Sequence, residues 1–174
     1  MIVLVGESAS GKSSIEKHLV DNYEYKKVVS YTTRPPREGE VDGVDYHFIS
    51  TEQFGKLKAD GFFAETASYR EWHYGTAKED CTDDKIAVLT PHGLRQVAKI
   101  NNINVTSIYI CVPRRDRLIK ILQRGDSIEE SYRRNLSDVG QFDGIVDEVD
   151  YIIYNDGYQK SIAEMAKEVH ACVT

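Results

Sequence analysis

The chain has 174 residues, of which 41% are hydrophobic and 29% charged, and a formal net charge of −6; this is the balance of a folded domain and excludes a disordered chain. The acidic total excludes a nucleic-acid partner, because binding a phosphate backbone needs clustered excess Lys and Arg. No apolar run approaches the ~20 residues that span a bilayer, and the opening MIVLV is too short for a signal peptide, so the expected setting is the cytoplasm, with no membrane partner.

Cys81, Cys111 and Cys172 are widely spaced and include no C-x-x-C pair, and none of the histidines shows paired metal spacing. The sequence therefore proposes neither a disulfide framework nor a zinc site.

Ile2 to Val5 is a continuous aliphatic run that breaks into Gly6-Glu7-Ser8-Ala9-Ser10-Gly11-Lys12-Ser13, after which Ile15 and Leu19 recur at helical spacing. The octet matches G-x-x-x-x-G-K-[ST] in its required setting, after a strand and at the start of a helix. A chance match in a chain of this length is on the order of one in a hundred. Small residues let such a loop wrap a phosphate, and the N–H groups through Ser14, with the positive helix end, bind its oxygens. Lys12 is placed to reach the β and γ groups of a nucleoside triphosphate, and the Ser13 hydroxyl to ligate Mg2+. The donor and cofactor expected from the loop are therefore ATP and Mg2+.

Further strands are expected at Val28 to Tyr31, Ile86 to Leu89, Val105 to Ile110 and Val149 to Tyr154, alternating with helical stretches. That rhythm predicts an α/β fold with a five-stranded parallel sheet flanked by helices. Ser50 with Gln53, and Ser127 with Glu130, match capping boxes that open helices. Residues 32–78 leave the rhythm and read as an inserted subdomain. The stretch from Arg114 through Arg134, broken at Gly125, reads as a small helical lid. The expected organisation is one domain: a core of residues 1–31, 79–112 and 148–174, an insert at 32–78 and a lid at 113–147.

The insert opens with Ser30-Tyr31-Thr32-Thr33-Arg34-Pro35-Pro36-Arg37-Glu38-Gly39-Glu40-Val41-Asp42-Gly43-Val44-Asp45-Tyr46-His47-Phe48. Two prolines stiffen the chain between two guanidiniums, which reads either as an anion clamp or as a pair of solvated arginines. This stretch resembles the guanylate kinase family, whose acceptor region runs S-x-T-T-R-x-P-R-x-G-E-x-x-G-x-D-Y-x-F. The resemblance continues through Phe62-Phe63-Ala64-Glu65, Tyr74-Gly75-Thr76 and Tyr151-Ile152-Ile153-Tyr154-Asn155-Asp156, and so spans almost the whole chain in order.

The resemblance implies a P-loop kinase that phosphorylates GMP, and dGMP, with ATP. It assigns Ser30, Arg34, Arg37, Tyr46 and Tyr74 to the GMP phosphate, and Glu65 and Thr76 to the guanine. It places Arg124 as a lid arginine on the transferred phosphate. Asn135 stands where the family carries a second lid arginine, so either Arg134 or its neighbour Arg133 substitutes for it, or one phosphate contact is absent. A second departure is Thr90, in Val88-Leu89-Thr90-Pro91-His92-Gly93, at the position of an acid that neighbours the acceptor arginine and the metal's water shell. Asn155 either contacts adenine, as the resemblance implies, or caps a strand end. Taken alone, Glu65 reads as a surface carboxylate at a strand end, and Tyr46 and Tyr74 as packing aromatics.

The attacking group would be a nucleotide phosphate, mostly dianionic at neutral pH, so no general base is required. Cations are, and the expected set is Lys12, Arg34, Arg37, Arg124, Arg134 and Mg2+. Two other readings stand beside this one. Scaffold modules of guanylate kinase type bind phosphopeptides without catalysis but carry a degraded loop, whereas Gly11-Lys12-Ser13 is intact here. A related kinase for another nucleoside monophosphate or a ribose phosphate is kept open by Thr90 and Asn135. The assembly is expected to be a monomer or homodimer.

Overall fold

The computed structural model describes every residue except Arg124 and Asp126, and the side chains of all described residues except Glu130 and Arg134. β1 (Ile2–Val5) leads through the phosphate loop into α1 (Lys12–Asn22) and a short β2 (Lys26–Lys27). A second sheet is then built from β3 (Tyr31–Thr32), β4 (His47–Phe48), β5 (Phe63–Tyr69) and β6 (Trp72–Ala77), with α2 (Thr51–Ala59) between β4 and β5. The chain returns through β7 (Lys85–Val88), α3 (Pro91–Val97) and β8 (Thr106–Cys111). It passes along α4 (Arg114–Gln123) and α5 (Ile128–Asp138) and ends in β9 (Tyr151–Tyr154) and α6 (Ile162–Ala171).

The core sheet is parallel throughout, in the order β2-β7-β1-β8-β9. Its central strand is aliphatic at every position because both faces are covered. Ile2 and Leu4 pack with Ile15, Leu19, Met165 and Val169 of α1 and α6, while Val3 and Val5 pack with Leu94 and Val97 of α3 and with Ile145. A truncation such as Leu4→Ala at a site this enclosed costs about 2–5 kcal/mol.

The second sheet is mixed, in the order β4-β3-β6-β5. It contains the one expected strand that the fold divides. Lys26 and Lys27 pair with Lys85 and Ile86, and the Val28 amide still donates to Ile86 O at 2.9 Å. Tyr31 and Thr32, by contrast, pair with Gly75 and Tyr74 of the second sheet. The Tyr31 ring packs edge-on against Phe62 and Phe63, and this draws the chain out of the core after Val28. Lysines suit an exposed edge strand, where they discourage edge-to-edge pairing.

β9 begins later than its pattern suggests, because Asp150 serves as a cap: its Oδ2 accepts from the Ser107 amide at 2.8 Å and the Ser107 hydroxyl at 2.7 Å. The box at Ser50 and Gln53 is formed in both directions. α5 starts directly after Ser127 with Ser131 N–H donating to Ser127 O, while the Glu130 half of its box lies outside the described side chains. A further capping box, Ser161 with Glu164, opens α6. Gly125, at φ +87°, separates α4 from α5.

Candidate active site

The phosphate loop turns at the carboxyl end of β1, where open α/β sheets bind ligands. Gly6 is required there, since a Cβ on it would lie 2.7 Å from both Ile110 O and Ser10 Oγ. Ala9 holds a left-handed φ of +66°, a conformation that costs an L residue about 1–2 kcal/mol. Lys12 folds across the loop, its Nζ donating to Gly6 O at 2.6 Å, Glu7 O at 2.9 Å and Ser10 Oγ at 3.3 Å. Burial lowers Lys12 to about 8, with the carboxylates of Asp138 and Glu7 opposing the shift. Ser13 and Ser14 are exposed in the first turn of α1.

Residues from Ser8 to Ile15 form one wall of a cavity of about 590 Å³, which Lys120, Asn155, Tyr158 and Lys160 also line. That volume suits a nucleotide-sized ligand. The Tyr158 hydroxyl donates to Ala9 O at 2.8 Å, and Lys120 lies over its ring at 5.4 Å. Both side chains escaped the sequence reading. Asn155 is buried, with its Nδ2 donating to Lys160 O at 3.1 Å and its Oδ1 accepting from Lys160 N at 2.9 Å. Its amide therefore closes the 155–160 turn that shapes the cavity wall.

The residues that the resemblance assigns to the acceptor gather on and beside the second sheet. Glu65 is buried at 5% exposure, whereas read alone it is a surface carboxylate. The cause is a register shift between Phe63 and Glu65 against β6, since a bulge re-aims the side chains beyond it. Thr76 Oγ1 donates to Glu65 Oε1 at 2.8 Å, and Ser30 Oγ lies 3.4 Å from Thr76 Oγ1. Burial pushes the Glu65 carboxyl up, and the Thr76 hydroxyl and amide pull it back. α3 supports it from behind. A Cβ on Gly93 would sit 3.1 Å from Glu65 Oε2, and the Gln96 amide brackets Thr66, accepting from its N and donating to its O at 3.1 and 2.9 Å.

Arg34 is buried at 5% exposure, donating to Glu40 Oε1 at 2.8 Å and to Pro35 O at 2.8 Å. Its guanidinium also lies 5.5 Å from the centre of the Tyr46 ring, and Tyr46 meets Tyr74 edge-on at 6.1 Å. The tyrosines thus pack around the arginine. Glu40 also accepts from the Arg37 amide at 2.7 Å, and its carboxyl is held below the usual range first by Arg34 and then by that amide. Arg37 itself is exposed, and no hydrogen-bond partner for its guanidinium is found among the described residues. Glu40 stands inside the acceptor motif, so the signal for it was present in the sequence.

Thr90, at the position of an expected acid, is the N-cap of α3: its hydroxyl accepts from the Gly93 amide at 3.1 Å, with Pro91 following. Asn135 is buried and its Oδ1 accepts from Arg114 Nη2 at 2.5 Å. Arg133 is described, with its guanidinium 5.1 Å from the Tyr69 ring centre. Arg124, an expected lid arginine, lies outside the described residues, and Arg134, the other, outside the described side chains. Among the described residues no group of three or more His, Cys, Asp and Glu is gathered for a metal, and no helix is long and apolar enough to cross a membrane.

A phosphate loop on a parallel sheet, beside a second sheet carrying a buried guanidinium, two tyrosines and a buried carboxylate, defines a P-loop phosphotransferase of the nucleotide kinase class. Known proteins narrow this further. The sequence model described as guanylate kinase matches residues 1–172. A guanylate kinase of Alkalilimnicola ehrlichii is 34% identical over 95% of this chain and 85% of its own length. One from Trichormus variabilis is 35% identical over 93% of this chain and 85% of its own length. The crystal structure of guanylate kinase from Anaplasma phagocytophilum shares the fold, with a TM-score of 0.69 at 24% identity over 98% of this chain and 82% of that one. The chain belongs to the guanylate kinase family.

Proposed function

We infer that the chain transfers the terminal phosphoryl group of ATP to GMP, and to dGMP, giving the corresponding diphosphate and ADP. The observation that carries the acceptor is the buried Glu65 carboxylate fixed by Thr76. Guanine offers two adjacent N–H donors on its Watson–Crick edge, which one carboxylate accepts together. Adenine would set a ring nitrogen lone pair against that carboxylate, leaving a buried polar group unpaired, and such a mismatch rejects a substrate strongly. The buried Glu65 carboxylate disfavours acceptors that lack two adjacent N–H donors, which Thr90 and Asn135 by themselves leave open.

Ser30, Arg34, Arg37, Tyr46 and Tyr74 would hold the acceptor phosphate. Glu40 and the two aromatic rings preorganise Arg34 for it, while the exposed Arg37 guanidinium is available to close on it. Gly6 to Ser14 would wrap the ATP phosphates, with Lys12 exchanging loop carbonyls for β and γ oxygens. Asn155 would stand beside the adenine as part of the cavity wall.

Mg2+ fits these residues, because it is commonly held by one or two protein oxygens together with substrate phosphates and water. Ser13 is exposed at the start of α1 to supply one such oxygen. When bound, the ion would neutralise charge on the phosphates in flight. Neither substrate needs a general base, so the protein's task is alignment, charge cancellation and exclusion of water. The lid segment 113–147, with Arg124 and Arg134 as its expected arginines, would serve the last of these by closing over the insert 32–78.

The reading is tested by Lys12→Ala and Arg37→Ala in a coupled ADP-release assay with GMP. Each is expected to lower turnover at least about a hundredfold with the fold retained, in line with the loss of an electrostatic transition-state contact. Near-normal rates in both variants would end the assignment.

A further inference from the structure

The helices after β8 meet the phosphate loop through charged side chains that no assignment above uses. Asp138, the last residue of α5, accepts from the Ser8 amide at 2.9 Å and the Ser8 hydroxyl at 3.3 Å. It also lies 3.6 Å from Arg117 Nη1. Arg117, on α4, is 5% exposed, and donates to Val112 O at 3.0 Å, Ser8 O at 3.4 Å and Glu7 Oε1 at 3.3 Å. The Tyr109 hydroxyl fixes the other Glu7 oxygen at 3.0 Å. The Asp138 and Glu7 carboxylates also act on the half-buried Lys12 ammonium, favouring its charged form.

A carboxylate at the end of a helix faces the negative end of its dipole, so its own helix does not favour Asp138 there. What favours it is a backbone N–H, a hydroxyl and a guanidinium, with an ammonium close by. Those are the donors that a phosphoryl oxygen takes. Ser8 also belongs to the loop that wraps the nucleotide.

Resting on the reading of that loop as the ATP phosphate site, we propose that the Asp138 carboxylate competes with the terminal phosphate of ATP for Ser8 and Arg117, and that Arg117 is a ligand of that phosphate. ADP lacks the third phosphate and leaves the Asp138 contact in place. ATP displaces it, so recognition of the third phosphate is linked to release of α5 from the loop, because a ligand shifts an equilibrium by its differential affinity for the two states. Arg117 also supplies a guanidinium on the side of the site where Asn135 replaces one. Asn135 is itself held by Arg114, so at Asn135 and Asp138 α4 presents a guanidinium to α5.

Calorimetric titration of ADP and of a non-hydrolysable ATP analogue, each with Mg2+, decides the matter on the parent chain, Asp138→Asn and Arg117→Lys. Asp138→Asn is expected to tighten the analogue about tenfold while moving ADP less than about twofold, a coupling of ordinary size. Arg117→Lys, which loses the planar fork, is expected to weaken the analogue more than ADP. If Arg117→Lys does not fold, the ratio in Asp138→Asn decides alone. Equal shifts for the two ligands, or none in Asp138→Asn, would overturn the proposal and leave the loop as a nucleotide site. Failure of the parent chain to bind either ligand would instead overturn the reading of the loop, and the proposal with it.

Discussion

Thr76 and Glu65 face each other across β5 and β6, the Thr76 hydroxyl donating to Glu65 Oε1 at 2.8 Å while Gly93 backs the other carboxylate oxygen. The hydroxyl fixes the carboxylate in place, so a base arriving at this pocket meets a preset acceptor. Glu65→Gln keeps the shape and removes the charge. Losing one charge-assisted bond of about 1.5–3 kcal/mol weakens GMP by roughly ten- to a hundredfold. Titration of each ligand separately should show that loss for GMP, and a change under about twofold for an ATP analogue.

Lys12 gives the nucleotide site a pH signature. Burial sets its value at about 8, below the ordinary 10.5, and bound phosphates favour the ammonium. As pH rises through about 8 the free enzyme loses that proton, so ATP binding above this point takes one up and becomes weaker. Calorimetry at pH 8.5 in two buffers of different ionisation enthalpy should give different apparent enthalpies. Identical values would contradict the shift.

Glu16 gives the fold a second signature. It lies on α1 at 8% exposure, and burial raises its carboxyl from 4.5 to about 7, with Lys27 opposing. Because the folded value is raised, the folded state keeps a proton that the unfolded chain releases near 4.5. Stability from this group is therefore full below about 4.5, declines as pH rises to about 7, and is lost above. The difference corresponds to about 3 kcal/mol at pH 8. Urea unfolding should find Glu16→Gln more stable than the parent at pH 8 and equal to it near pH 4.

Thr90 separates capping from metal chemistry. Asp caps a helix as well as Thr does, so Thr90→Asp should keep α3 and shift stability by less than about 1 kcal/mol. The added carboxylate would occupy the position where the resemblance to the family implies an acid beside the metal's water shell. The Mg2+ concentration giving half-maximal rate should fall, and an unchanged Mg2+ dependence would place that position outside the metal's reach.

The phosphate loop was legible because its chemistry is contiguous: one strand, one turn and one helix end within a few residues. The burial of Arg34 beside Glu40 and Tyr46 could be anticipated only through the length of its motif, since Arg34 and Tyr46 singly fit solvent or packing roles equally well. Glu65 was misread on its own because the bulge after Phe63 breaks the alternation that assigns strand faces. The Lys26–Lys27 edge strand carries no apolar signal at all. The grip of Asp138 on Ser8 joins positions 130 residues apart and depends on how α5 docks, which no local pattern encodes. Gly93 and Gln96 likewise act only through the packing of α3 on β5.

The most direct test is ADP formation from MgATP by the purified chain with GMP, dGMP, AMP, UMP, dTMP and a ribose bisphosphate offered at equal concentration. Rapid turnover is expected with GMP and dGMP, at least about a hundredfold above AMP, the margin that follows when a buried polar group would be left unpaired. Equal or faster turnover with any of the other acceptors, or ADP release that needs no acceptor, would contradict the proposed reaction.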